Sequence, residues 1–337
     1  MKLQRLIEQH WYKVNNLYLA WFLLPLSWIF LLISKIRFYF YRWHILKSYK
    51  LSVPVVIVGN ISVGGVGKTP LTKYLAEELI TQNIQVGVIL RGYKGKIKHA
   101  FVVKSSATCE MVGDEALIYA QNGIPVAIGP NRYQAGLALL KHYPHIQLIL
   151  ADDGLQHYSL KRDYEIAVID AARMLGNRFI LPMGPLRETV TRLNSVDAIV
   201  INGRTTTAQL STLPPHKMLV NQNLVLDKIY NPVTKVVATS TEFQDKKVST
   251  IAAIGNPQRF FDNIQQIGIN LYQTLAYPDH HQYKVTDIPE NCDVILVTEK
   301  DYVKLAHLNN DKIWVVLVKS ELNNPQLLSQ IRQLIRN

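Results

Sequence analysis

Eight residues carry the clearest chemistry in the chain: Ser62-Val63-Gly64-Gly65-Val66-Gly67-Lys68-Thr69. Glycines let the backbone turn its N–H groups inward on phosphate oxygens, and a helix opening at the end of the loop adds its positive dipole end. Lys68 is spaced to reach the β- and γ-phosphates of a nucleotide, and the Thr69 hydroxyl to ligate Mg²⁺. The common pattern G-x-x-x-x-G-K-[ST] has glycine where this chain has Ser62. Gly64, Gly65 and Gly67 still supply the flexibility, and the Gly-Lys-Thr end is intact.

Carboxylates follow at useful distances. Leu148-Ile-Leu-Ala-Asp152-Asp153 is an apolar run ending in two aspartates, the form of a strand-end site that orders Mg²⁺ or its waters; the same letters also make an ordinary turn. Asp114-Glu115 offers a carboxylate able to accept the proton of an alcohol acceptor. It suits equally the acidic first turn of a helix running DEALIYA. Asp279-His280-His281 pairs imidazoles with a carboxylate, a proton relay near neutral pH or a surface pair. No cysteine or third ligand shares its spacing, so zinc is disfavoured. Arg91, in Arg91-Gly-Tyr93, and Arg187, in Pro182-Met-Gly-Pro-Leu-Arg187-Glu188, are each either an anion contact or a solvated charge.

These residues need a scaffold that brings strand ends together. Val53–Val58 is a short, β-branched apolar run directly before the glycine loop, and Leu71–Ile80 follows it at helical spacing. Gln85–Leu90, Ile146–Leu150, Glu165–Ile169 and Ala198–Ile201 repeat the strand pattern. Apolar strands alternating with helical stretches predict a mainly parallel sheet covered on both faces. Thr205–Pro215 marks a boundary, residues 216–248 read as a strand-rich polar connecting ribbon, and α/β character returns with Ser249–Ile254, Gln258–Ile267, Asp293–Val297, Ile313–Val318 and a last helix over Pro325–Ile335. The expected fold class is α/β: a phosphate-loop α/β/α core over 46–210, a smaller α/β domain over 211–337, and a membrane-associated region over 1–45.

That first region is distinctive. Leu17–Ile33 runs without a charge, about 26 Å of helix against roughly 30 Å of hydrocarbon core. Lys35, Arg37, Arg42, Lys47 and Lys50 follow it, and Lys2, Arg5 and Lys13 precede it, which favours a cytoplasmic C-terminal side. Lysine plus arginine number 37 against 25 acids in 337 residues, a net charge of +12. The surplus calls for an anionic partner. No nucleic-acid motif or aromatic-basic platform accompanies it, so nucleic acid is not expected. Two cysteines far apart form no framework.

Taken together and in order, the motifs resemble the tetraacyldisaccharide 4′-kinase family, the lipid A kinases of Gram-negative bacteria. The resemblance rests on the apolar N-terminal helix, Gly59-Asn-Ile-Ser-Val-Gly-Gly-Val-Gly-Lys-Thr-Pro70, Arg91-Gly-Tyr93, Gly113-Asp-Glu115, Asp152-Asp-Gly-Leu-Gln-His157 and Leu181-Pro-Met-Gly-Pro-Leu-Arg-Glu188. It continues through Gly255-Asn-Pro257 with Arg259-Phe-Phe261, Pro278-Asp-His280 and Thr298-Glu-Lys-Asp301. The family also carries serine at the Ser62 position. The resemblance implies transfer of ATP's γ-phosphate to the 4′-hydroxyl of an acylated disaccharide 1-phosphate at the inner membrane, with the catalytic part on the cytoplasmic side. It implies a two-stranded ribbon between the domains, Asp114 as base with His280 as its partner, Lys68 and Thr69 in phosphate-loop roles, and Asp152 and Asp153 on the metal side. Gln156, His157, Arg187 and Glu188 match motifs near the acceptor. A membrane-associated GTPase or ATPase of switch type is the alternative; Thr298-Glu-Lys-Asp301 approaches a guanine-reading [NT]-K-x-D, with Glu299 where lysine belongs.

Overall fold

The computed structural model describes residue 7, residues 10–12 and residues 17–336; Lys2, Arg5 and Lys13 lie outside them. Helix α1 (Leu17–Arg42) leads to β1 (Val55–Gly59), the glycine loop and α2 (Lys68–Thr81). Then come β2 (Val86–Leu90), β3 (Phe101–Val102), α3 (Cys109–Val112), α4 (Asp114–Gln121), β4 (Val126–Ile128), α5 (Arg132–His142), β5 (Leu148–Asp152) and β6 (Tyr164–Asp170). The chain continues through β7 (Ala198–Asn202), α6 (Thr207–Leu210), β8 (Leu219–Tyr230), β9 (Val237–Ala238), β10 (Val248–Ala252) and α7 (Pro257–Gln266). It ends with β11 (Leu271–Ala276), β12 (Val294–Thr298), α8 (Glu299–Leu305), β13 (Ile313–Leu322) and α9 (Gln326–Arg336).

The thirteen strands of the described residues join one sheet, in the order β11-β10-β12-β13-β8-β7-β6-β1-β5-β2-β4-β3, with β9 paired to β8. Strands β1, β2, β5 and β6 are buried along their whole length. That burial explains their unbroken Val, Ile and Leu runs, because helices cover both faces of a parallel sheet. One face carries α2 and α4 through Leu71, Leu75, Leu79 and Leu117; the other carries α5 through Ala135 and Leu139. Two further buried clusters flank β10, β12 and β13.

Strand β8 is the joint. Its first residues pair parallel with β7, Asn202 opposite Gln222, and the rest pairs antiparallel with β13 from Gln222–Leu322 to Tyr230–Val315. The ribbon expected inside 216–248 is therefore built mainly with a strand some ninety residues later; within that span only Ile229 and Tyr230 find partners, in β9. Ladder partners that distant leave no local signature. The terminal helix α9 returns to the first part of the molecule, where Leu327 and Ile331 are fully buried and Tyr164 donates to Gln330 at 2.5 Å.

Over Leu17–Ile33 helix α1 carries no charge on any side, but its sides are not equivalent. Leu23 and Ser27 are buried, and Phe30 and Leu31 pack on the core. Trp21, Phe22, Trp28, Ile29, Leu32 and Ile33 stand exposed. The buried positions recur at helical spacing, one stripe on protein. Ser27 settles which stripe: its hydroxyl donates to the Ile180 carbonyl at 3.0 Å and accepts from the Met183 N–H at 3.0 Å. Among the described residues this is the one helix long and apolar enough to cross a membrane.

Candidate active site

The carboxyl ends of β1, β5, β6 and β7 meet at one edge, where open α/β sheets bind ligands. Register places Val58 beside Asp152 and Asp170 beside Asn202. The glycine loop leaves β1 at this edge and enters α2 at Lys68, with Gly67 left-handed at φ +93°. A Cβ at Gly67 would collide with the Asn202 side chain, whose amide holds the Val66 carbonyl at 3.0 Å. Gly65 meets the backbone of Gly255, two residues before α7; a Cβ there would stand 3.1 Å from the Gly255 Cα. Both halves of the sheet therefore close on the loop.

Around it lies a cavity lined by Gly65–Thr69, Glu115, Asn202, Arg259, Glu299 and Lys300, with Leu224, Ile254, Phe260, Val316 and Val318 making an apolar wall. The lining suits a nucleotide: donors for the phosphates, apolar surface for the base. The Thr69 hydroxyl donates to Asp152 Oδ2 at 3.1 Å, and the Tyr119 hydroxyl to the same oxygen at 2.6 Å. Asp152 Oδ1 is buried without a partner. Burial pushes the Asp152 carboxyl up, with Lys68 and Tyr119 opposing.

Asp153 has a different environment. Lys68 Nζ stands 3.4 Å away and Arg187 Nη1 3.1 Å away. Burial would raise its carboxyl, but the two cations hold it down at about 2. Arg187 opens a second cavity of about 960 Å³, between α1 and the core. Arg91, Gln156, His157, Arg187 and Glu188 all line it, together with Arg132 and, from α1, Lys35, Arg37 and Arg42. The loop carrying Arg187 is laced to the phosphate loop: Val63 N–H donates to Pro185 at 2.8 Å and Arg187 N–H to Ile61 at 2.6 Å. Gln156 donates to the Asn60 carbonyl at 2.9 Å and to Glu188 at 2.6 Å. Burial and the nearby Arg132 and Arg162 push the His157 imidazole down to about 4, so it is neutral.

Asp114, at the start of α4, is 4% exposed and meets His280 across the two parts of the molecule. His280 Nδ1 lies 2.7 Å and 3.0 Å from its two carboxylate oxygens. Burial pushes the Asp114 carboxyl up; the His280 hydrogen bond and Lys300 overcome this and hold it below the usual range. Glu115 has no such donor, and burial pushes it up to about 7. The two histidines of the motif part company: His281 pairs with Asp287 at 2.9 Å and stacks on Tyr277, a local structural role.

Several residues escaped the sequence reading. Arg132 is buried at the start of α5, donating to Gly129 at 2.9 Å and reaching the Asp153 carbonyl at 3.5 Å. Arg173 donates to the Gly65 carbonyl; Arg259, read in the sequence only as part of a motif and without a role, donates to Asn202 Oδ1 at 3.2 Å. Their only local signals are flanking ones, such as the Asn131 cap before Arg132. Asp301 is fully buried and bound by Ala253, Tyr283 and Lys304, which removes it as a guanine reader.

Residues 19–336 match the family model described as tetraacyldisaccharide-1-P 4′-kinase. The tetraacyldisaccharide 4′-kinase of Chromobacterium violaceum is 43% identical over 326 residues, covering 94% of either chain. That of Neisseria gonorrhoeae is 42% identical over 94% of this chain and 92% of its own. Among solved structures, LpxK from Aquifex aeolicus in complex with ATP superposes with a TM-score of 0.78 at 27% identity, over 94% of this chain and 99% of that one.

Proposed function

This chain belongs to the tetraacyldisaccharide 4′-kinase family, and from that premise we propose how its residues divide the work. It is an ATP-dependent kinase of lipid A biosynthesis, moving the γ-phosphate to the 4′-hydroxyl of tetraacyldisaccharide 1-phosphate. Backbone amides of the Ser62–Gly67 loop hold the phosphates, and Lys68 neutralises charge developing on the transferred group. Thr69 and Asp152 would hold Mg²⁺: the orphaned, buried Asp152 Oδ1 beside a hydroxyl is an all-oxygen donor set fitting a hard cation that keeps its waters. When bound, Mg²⁺ offsets negative charge on the β- and γ-phosphates. Asp153, turned to Lys68 and Arg187, lies on the acceptor side of that pair.

Asp114 accepts the proton of the acceptor hydroxyl, and the His280 N–H keeps its carboxylate ionised and oriented. Asp114 lines neither of the two cavities; the Arg91–Lys94 turn, whose Arg91 lines the second, connects that cavity to the partner of Asp114, His280. That turn touches His280 through the Tyr93 ring, at 5.0 Å between centroids, and Lys94 Nζ, at 3.2 Å from the His280 carbonyl. Arg91, Gln156, His157, Arg187 and Glu188 receive the disaccharide headgroup. Residues 1–45 anchor the enzyme on the inner membrane, the catalytic part on the cytoplasmic side. The acceptor cannot leave the bilayer cheaply, each buried CH₂ being worth about 0.8 kcal/mol. The stripe of α1 docked through Leu23 and Ser27 supports a helix lying along the surface. Residues 46–210 form the kinase core and 211–337 the smaller domain, with α9 folding back.

The observation that carries this reading is the junction at Asp153. It stands 3.4 Å from the lysine of the nucleotide cavity and 3.1 Å from an arginine of the other. The test is transfer of label from [γ-³²P]ATP with Mg²⁺ to detergent-dispersed disaccharide 1-phosphate, beside Lys68→Ala and Asp114→Ala. Label in the lipid, lost in both variants, is the expected result. Nucleotide consumption by folded enzyme with no labelled lipid would overturn the acceptor assignment.

A further inference from the structure

Beyond lining the nucleotide cavity, the turn Thr298–Asp301 has no part in the roles above, yet three of its four residues make long-range connections. Thr298 caps α8: its hydroxyl accepts from Asp301 N–H at 3.1 Å and donates to Asp301 Oδ2 at 2.7 Å. Asp301 Oδ1 then accepts from Ala253 N–H at 3.1 Å, Tyr283 at 2.9 Å and Lys304 at 2.8 Å. Ala253 in turn takes the His280 N–H at 3.4 Å. The turn and the His280 loop thus share one buried anchor. Between the anchoring residues, the other two reach across to the first half of the molecule. Glu299 grips Lys73 of α2 at 2.8 Å and Asn122, just after α4, at 2.8 Å. Lys300 Nζ lies 3.0 Å from Asp279, 3.7 Å from Glu115 and 3.9 Å from Asp114.

We propose that this turn aligns the base of the reaction: Lys300 is a positioning residue that holds Asp114 against His280, and Glu299 fastens the turn to α2 and the end of α4. The inference rests on the reading of Asp114 as proton acceptor. Three carboxylates converge where, besides the Glu115 backbone N–H that donates to Asp114 Oδ1 at 3.0 Å, His280 is the side-chain N–H on Asp114, and like charges at that range repel strongly in a site shielded from water. A compact ammonium on a flexible stem can serve all three at once. Lys300 is itself four-fifths buried. Its position is therefore set by the turn, whose rigidity comes from the Asp301 anchor.

The test uses the full chain in detergent with [γ-³²P]ATP, Mg²⁺ and the disaccharide 1-phosphate acceptor. Lys300→Met should lower kcat about 100-fold while KM for ATP moves less than about threefold, and Lys300→Arg should recover at least about a tenth of the wild-type rate. Combined with His280→Ala, the loss should be far less than the product of the two single losses, since both act through Asp114. Wild-type kcat in Lys300→Met while Asp114→Asn is inactive would overturn the proposal. So would a loss that tracks a lowered melting temperature and is not recovered by arginine. If Lys300→Met does not fold, Glu299→Gln decides: a fall in kcat of about threefold or more at unchanged melting temperature supports the fastening, and an unchanged kcat overturns it. A fully active Asp114→Asn would instead remove the base assignment itself, a separately visible failure.

Discussion

The two cavities that meet at Asp153 solve the binding of phosphate in different ways. In the nucleotide cavity, four cationic side chains (Lys68, Lys73, Arg259, Lys300) face three carboxylates, and the glycine loop adds backbone amides. In the other, seven cations (Lys35, Arg37, Arg42, Arg91, Arg132, Arg187, Arg192) face only Asp153 and Glu188. A nucleotide arrives partly neutralised by its metal and can be held by dipoles, whereas a lipid headgroup at an anionic bilayer must be met with net charge. The difference teaches that the chain's basic surplus is concentrated where the acceptor would lie, and not at the phosphate loop.

Substitutions can break this contrast one side at a time. The largest effect is expected for Gly67→Ala. Its left-handed backbone costs a side chain about 1–2 kcal/mol, and the added Cβ strikes Asn202. The kcat/KM for ATP should fall about 100-fold, with acceptor binding unchanged by equilibrium partition into substrate-loaded micelles. Arg187→Met is the mirror test. It should raise KM for the acceptor about tenfold and leave KM for ATP within about twofold, as expected for a lost charge-assisted contact.

His157→Gln probes the acceptor side through pH. With the imidazole held near 4 when folded and near 6.5 when unfolded, the unfolded chain binds more protons between those values. Stability should therefore fall as pH drops from 6.5 towards 4, by about 1–2 kcal/mol after allowance for partial exposure. The glutamine variant should flatten that acid limb in melting curves. Ser27→Ala should have the smallest effect, about 1 kcal/mol of stability. It loosens α1 from Ile180 and Met183, so acceptor KM should rise while ATP kinetics stay unchanged.

Ser62 to Thr69, the strands beside them and Asp152-Asp153 were legible because each is local: a glycine loop between a strand and a helix states its own conformation. The five acceptor-side residues were legible only as separate motifs. Pairings across long separations were not. The β8–β13 ladder joins residues such as Tyr230 and Val315, and short strands such as β3 have too few residues for a period-2 pattern. Lys300 illustrates the same limit. Its neighbours suggested a nucleotide reader, yet contact with Asp114 and Glu115 gives it another environment.

The sequence by itself determined the phosphate loop, the paired aspartates at a strand end, the apolar first helix and the basic surplus, since spacing and side-chain chemistry are properties of short segments. Tertiary structure alone decided that His281 turns to Asp287, which stripe of α1 lies on protein, and which oxygen of Asp152 is left free. The second and third depend on elements far apart in the chain being packed together, and packing selects among partners that local sequence leaves equivalent.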